Sequence, residues 1–126
     1  MKQRTYDEPM VAKIMMKMLR AVAFLHKNEF VHRDIKPANI MIASKDKNAE
    51  LKLSDYGLGV KLTKEKKVDG WGGTLPYMAP EHFEYPLDLT NKIDVWSLGV
   101  LMYELISKDF PYNSDDEWEL RMLIKL

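Results

Sequence analysis

The run His32-Arg33-Asp34-Ile35-Lys36-Pro37-Ala38-Asn39 places a carboxylate, an ammonium and a carboxamide within six residues. Asp34, Lys36 and Asn39 are residue types that phosphoryl transfer from ATP to a hydroxyl can use. That reaction asks a protein mainly to position an oxygen nucleophile in line and to neutralise charge on the phosphates. Asp55-Tyr56-Gly57 comes twenty-one residues after Asp34, and Gly73-Thr74-Leu75-Pro76-Tyr77-Met78-Ala79-Pro80-Glu81 follows. A lone His-Arg-Asp is a weak signal, whereas three such segments in this order are a specific one.

Read as HRDIKPAN, DYG and APE, the three segments resemble the catalytic loop, the magnesium-binding turn and the end of the activation segment of a protein kinase. The resemblance implies a role for each position. Asp34 would accept the proton of the substrate hydroxyl and orient that hydroxyl. Lys36 would set a point charge beside the transferring phosphate. Asn39 and Asp55 would hold magnesium through hard oxygen ligands. Thr74 would bridge Asp34 and Lys36, and Lys36 and Thr74 together resemble the serine/threonine type. The implied reaction moves the γ-phosphate of ATP to Ser and Thr hydroxyls of protein substrates, with ATP and Mg2+ as cofactors. Met41, with Leu101 and Leu105, resembles the apolar column under adenine, so Lys36, Asn39, Met41 and Asp55 form the implied cofactor contacts.

Other positions look like supports. His32 and Tyr56 resemble the family's hydrophobic stack, with Tyr where Phe is usual and a hydroxyl that needs a partner or water. Asp94 resembles the aspartate that hydrogen-bonds the catalytic-loop backbone, although a plain helix N-terminal carboxylate also explains it. Glu81 resembles the glutamate that pairs with an arginine farther along the domain; left unpartnered and buried it would be costly. Ala38 and Pro76 stand where kinases preferring basic substrates often carry Glu, so no acidic pocket for arginine is expected. Arg33 is placed as in kinases that pair it with an activation-segment phosphate. No Ser or Thr lies between Thr63 and Thr74, so Asp69 is expected to offer a permanent, weaker negative charge there, a solvated loop aspartate being the plain alternative.

No G-x-G-x-x-G segment and no lysine strand after it precede His32. The resemblance therefore implies an α+β fold, the mostly helical C-terminal lobe of a kinase with a small β-hairpin at the catalytic site and the N-terminal lobe absent. Residues 1–126 are read as a partial catalytic domain, with catalytic loop 32–39, magnesium-binding turn 55–57, activation segment 55–81 and a buried helix over about 91–107. Such a chain is expected to be inactive alone, a separate N-terminal lobe being the partner that completes it. The competing readings are a non-catalytic kinase-like interaction module and the product of an incomplete gene.

The elements that must position these groups are legible in outline. Val11, Ile14, Met15, Met18, Val22 and Leu25 recur on one face, and Asp7, Glu8 and Pro9 suit a first turn, which predicts a helix from about Glu8 to Lys27. Its methionines read as core filler. Two apolar runs, Asn39 to Ser44 and Glu50 to Asp55, flank Lys45-Asp46-Lys47-Asn48-Ala49 and predict a hairpin. A turn centred near Lys47 sets Asn39 opposite Asp55, within the 4.5–5.5 Å that separates antiparallel neighbours. Residues 58–73 read as a long surface loop. Ile93, Trp96, Leu98, Val100, Leu101 and Leu105 are apolar nearly all round, a buried helix. Ser114-Asp115-Asp116-Glu117 reads as a capping box opening another helix.

Nineteen basic and nineteen acidic residues cancel, which gives no reason to expect nucleic acid or an anionic membrane as a partner. The lysine-rich stretch Lys61 to Lys67 reads as an exposed loop. Absence of cysteine rules out disulfides and thiolate metal sites. No apolar run is long enough to span a bilayer and Met1-Lys2-Gln3-Arg4 leads into no signal core, so a cytoplasmic location is expected. His26 and His82 lack metal-ligand spacing and are assigned to surface or packing.

Overall fold

The structure, a computed structural model, describes residues 6–42, 51–54 and 59–126, with the backbone alone at 41 and 42. Asp55, Tyr56, the Lys45–Ala49 turn and the Met41 side chain lie outside the described residues.

Helix α1 runs Glu8–Lys27, the span its caps and periodicity predict. The Asp7 carboxylate accepts the Met10 N–H at 2.9 Å, which occupies one donor that a helix start leaves unpaired. Val11, Met15, Met18 and Val22 form its buried stripe. Met15 and Met18 are core, as expected, while Met10 and Met16 on the same helix face water. The stripe packs with Ile35, Leu53, Leu98 and Leu101 into the main hydrophobic cluster.

After α1 the chain reverses through Glu29, whose φ of 60° is left-handed. Strand β1, Phe30–Val31, then carries it to His32. A 3-10 turn at Pro37–Asn39 leads into β2, Ile40–Ile42, which pairs antiparallel with β3, Leu51–Leu53. The register sets Ile40 against Leu53 and Met41 against Lys52. Continued by one residue it sets Asn39 against Ser54, and the Ser54 N–H donates to the Asn39 carbonyl at 2.7 Å. The expected pairing of Asn39 with Asp55 is therefore corrected by one position. A hairpin slipped by one residue exchanges the faces of every side chain, which is why a turn guessed from composition cannot fix this.

The stretch expected to be a surface loop is largely exposed and without helix or strand over 62–73, but it is anchored at two points. Strand β4, Val60–Lys61, pairs antiparallel with β1, with Val60 against Val31. Val68 is buried with Val31, Ala79, Leu89 and Ile93 in a second cluster, and its N–H donates to the Leu89 carbonyl at 2.6 Å. Two-residue strands are too short to show a period, so the sequence gives no sign of β4.

Helix α2 spans Lys92–Ser107 and α3 spans Glu117–Lys125. The first is not buried all round: Ile93, Asp94, Ser97, Leu98, Val100 and Leu101 are covered, but Val95, Met102, Tyr103 and Ile106 are each about half exposed. Its apolar residues thus form two faces, of which α1 and the clusters cover one. The cap of α3 also lies elsewhere than expected. Asp116, not Ser114, takes the helix amide, accepting the Glu119 N–H at 2.8 Å, while the Ser114 hydroxyl donates to the Glu119 carboxylate at 2.8 Å.

Candidate active site

The catalytic-loop sequence is held from behind by one carboxylate. Asp94, in the first turn of α2, is 1% exposed. Its Oδ2 accepts the His32 N–H at 2.9 Å and its Oδ1 accepts the Arg33 N–H at 3.0 Å. His26 donates from Nε2 to Oδ2 at 2.9 Å, reaching over from the last turn of α1. Arg33 is left-handed, with φ 74°, a conformation unfavourable for a residue bearing a Cβ. The two amide hydrogen bonds to Asp94 fix the backbone that leads into it.

His32 is wholly buried. Its Nδ1 accepts the Asp34 N–H at 3.1 Å, so Nε2 bears the ring proton and donates to the Ser54 carbonyl at 2.8 Å. One imidazole thereby joins Asp34 to the strand end that leads into Asp55.

These supports present four side chains together. The Thr74 hydroxyl donates to Asp34 Oδ1 at 2.6 Å and accepts from Lys36 Nζ at 2.9 Å. Lys36 Nζ also stands 3.6 Å from Asp34 Oδ2. Asn39 donates from Nδ2 to the Asp34 carbonyl at 2.7 Å and to Asp34 Oδ2 at 3.2 Å. Its amide nitrogen is committed to Asp34, which leaves the amide oxygen as the group able to ligate a hard cation. Gly73 makes the approach of Thr74 possible. With φ at 133°, a Cβ there would stand 3.0 Å from the Arg33 carbonyl oxygen.

The segment after Thr74 is fixed to α2. Ser97 Oγ donates to the Tyr77 carbonyl at 2.7 Å. The Tyr77 hydroxyl donates to the Glu104 carboxylate, 2.5 Å from Oε2, and its ring meets Phe110 edge-on at 5.4 Å. Burial, then the bond to Glu104, push the Tyr77 phenol well above its usual range.

The sequence profile of the protein kinase domain matches residues 1–125. The chain belongs to the protein kinase family. It is 33% identical over 120 residues to the calcium/calmodulin-dependent protein kinase type II of Caenorhabditis elegans, covering 95% of this chain and 16% of that protein. To the calcium-dependent protein kinase 4 of Plasmodium falciparum (isolate 3D7) it is 34% identical over 119 residues, covering 94% of this chain and 22% of that protein. To the phosphorylase b kinase gamma catalytic chain, liver/testis isoform, of Bos taurus it is 35% identical over 125 residues, covering 95% of this chain and 29% of the relative. The chain thus spans less than a third of each relative. The described elements form an α+β, mostly helical unit, mainly the larger lobe of a kinase domain.

The structure therefore brings Asp34, Lys36, Asn39 and Thr74 of the kinase motifs into one cluster. Asp55 and the Met41 side chain fall outside the described residues, while Leu101 is buried in the main cluster with Leu105 packed against it. Glu81 is only partly buried, so the cost expected of a buried, unpartnered carboxylate does not arise. Asp69 is exposed, and the next residue, Gly70, lies against the Arg33 guanidinium, its Cβ position 3.5 Å from Nη1. Sequence reasoning missed His26 and Glu104. Their contacts span 68 and 27 residues, and neither carries a local signal.

Proposed function

We propose that the protein is a serine/threonine protein kinase that moves the γ-phosphate of ATP to Ser and Thr hydroxyls of proteins. The observation that carries this reading is the Thr74 hydroxyl set between Asp34 and Lys36. A carboxylate locked in orientation by a threonine and an asparagine can take a hydroxyl donor on its remaining lone pairs and receive its proton. The ammonium 3.6 Å away offsets negative charge on a phosphate brought to the same place. The names of the three relatives, each a kinase, support the kinase part of this reading.

Residues Asn39 and Asp55 would hold magnesium, and the amide oxygen of Asn39 fits that ion's preference for oxygen ligands. When bound, the metal supplies charge neutralisation on the phosphates. Asp94, His26 and His32 keep the loop in place, acting through Asp34 and not on substrate. A cytoplasmic setting belongs to the proposal, since ATP and protein hydroxyl substrates meet there.

The test is transfer of labelled γ-phosphate to a mixed Ser/Thr peptide library by the full-length protein carrying residues 1–126. Asp34→Asn should lower turnover by a factor of about 10² to 10⁴, the usual contribution of a general base. Ligand binding without Asp34-dependent transfer would instead favour a kinase-like interaction module.

A further inference from the structure

One buried titratable side chain is unused by this chemistry. His82 lies in the 3-10 turn Pro80–Phe83 and lines the same narrow crevice as Arg33, Asp34, Thr74 and Tyr77. It is 6% exposed. Its Nδ1–H donates to the Ala79 carbonyl at 3.1 Å, so Nε2 carries no proton, and Nε2 is buried without a hydrogen-bond partner among the described residues. The His82 carbonyl accepts the Trp71 indole N–H at 3.0 Å, and the two rings meet edge-on with centroids 6.3 Å apart. This one residue thereby ties the stretch just before Thr74 to the end of the same segment.

We propose that His82 is an acid-sensitive latch: its neutral ring holds Trp71 and the Pro80–Phe83 turn against the catalytic loop, and a proton on Nε2 releases them. Protonation creates a second N–H and a full charge where the described residues offer no acceptor, so the crevice must open to water. The charged neighbours do not reverse this. Glu81 in the same turn favours the cation, but Arg33 from the catalytic loop opposes it, and Arg121 of α3, 5.9 Å from the Phe83 ring centroid, brings another positive charge to the turn. Asp34, on the crevice wall, is already bonded to Thr74 and Asn39. Burial is the largest influence and holds the imidazole below its ordinary range.

The sign follows. In an opened segment His82 takes a proton near the free value of about 6.5, and in the latched one only at lower pH. The latch is fully stable above about 6.5 and loses its advantage as pH falls below it. The consequence for catalysis, loss of the Thr74–Asp34 contact in acid, rests on the kinase reading. The latch itself does not, so it is tested without turnover.

In the 126-residue chain, NMR would follow the His82 imidazole C–H and the Trp71 indole N–H from pH 8 to 5, with His26 and His32 as internal comparisons. The expected result is a His82 midpoint below 6.5 and displacement of the Trp71 indole signal with that same midpoint. In His82→Asn, whose amide can still donate to Ala79, the indole signal should stay fixed across the range. A Trp71 signal unmoved through the His82 titration would overturn the latch, as would an identical displacement in His82→Asn. Should the Asn variant not fold, coincidence of the Trp71 midpoint with His82 rather than His26 or His32 decides the question in the unmodified chain.

Discussion

Replacing Asp94 tests the frame of the site most directly, because a single carboxylate there satisfies three donors. In Asp94→Ala the His32 and Arg33 amides lose their acceptor, and both lie in a region where Asp94 is 1% exposed. Each buried amide left unpaired costs about 1–3 kcal/mol, so the pair predicts a loss of about 2–6 kcal/mol. Domains of this size are stable by about 5–15 kcal/mol, and the alanine variant should therefore be close to unfolding. Asp94→Asn is milder for a geometric reason. Its oxygen, placed as Oδ1, still accepts from Arg33, and its NH2, placed as Oδ2, can donate to His26 once that ring presents a bare Nε2. The His32 amide alone is stranded, which predicts about 1–3 kcal/mol. Urea unfolding of both variants, with amide hydrogen exchange at 32 and 33, measures the difference. Equal losses for Asn and Ala, or a loss under about 1 kcal/mol for Ala, would show that these bonds do not hold the loop.

Thr74→Ser should keep phosphate transfer by the full-length protein within about tenfold, while Thr74→Val, which removes both bonds of the bridge, should lower kcat by roughly 10² or more, as misplacement of a catalytic group does; a fully active Val variant would remove the bridge from the mechanism. Tyr77 holds its proton above the usual phenol range, so stability present below pH 10 is lost as pH rises past the unfolded phenol's value of about 10. An alkaline urea series should show this slope in the unmodified chain and a shallower one in Tyr77→Phe. Met18 is fully buried and Met16 is 54% exposed, so Met18→Ala should cost about 2–5 kcal/mol and Met16→Ala no more than about 0.5 kcal/mol, compared by thermal unfolding.

Much of the site is legible because its parts are close in sequence. Asp34, Lys36 and Asn39 fall within one loop, and α1 announces itself by a cap at Asp7 and a stripe of period 3.6. The parts that escape are those fixed by distant contacts. His26 has no local reason to be anything but a helix-end histidine, and only the packing of α1 on α2 brings it to Asp94. The one-residue error in the hairpin arises because turn composition gives the centre of a loop only to within a position, whereas pairing is decided by the backbone bond between Ser54 and Asn39. The stretch from Val60 to Val68 reads as loop because its lysines dominate its composition, yet a few apolar residues bury enough surface to hold it.

The same division explains what kind of machine this lobe is. The groups that could touch substrate are few, short-range and carried by motif; those that hold them are scattered over α1, α2 and the activation segment. Asp34 is oriented by Thr74, forty residues on, and that threonine is itself placed by Gly73 against the Arg33 carbonyl and by Tyr77 bonded to Glu104. Catalytic geometry tolerates errors of well under an ångström. Anything that loosens one distant anchor, whether loss of the Glu104 bond or a proton on His82, therefore acts on Asp34 without touching it.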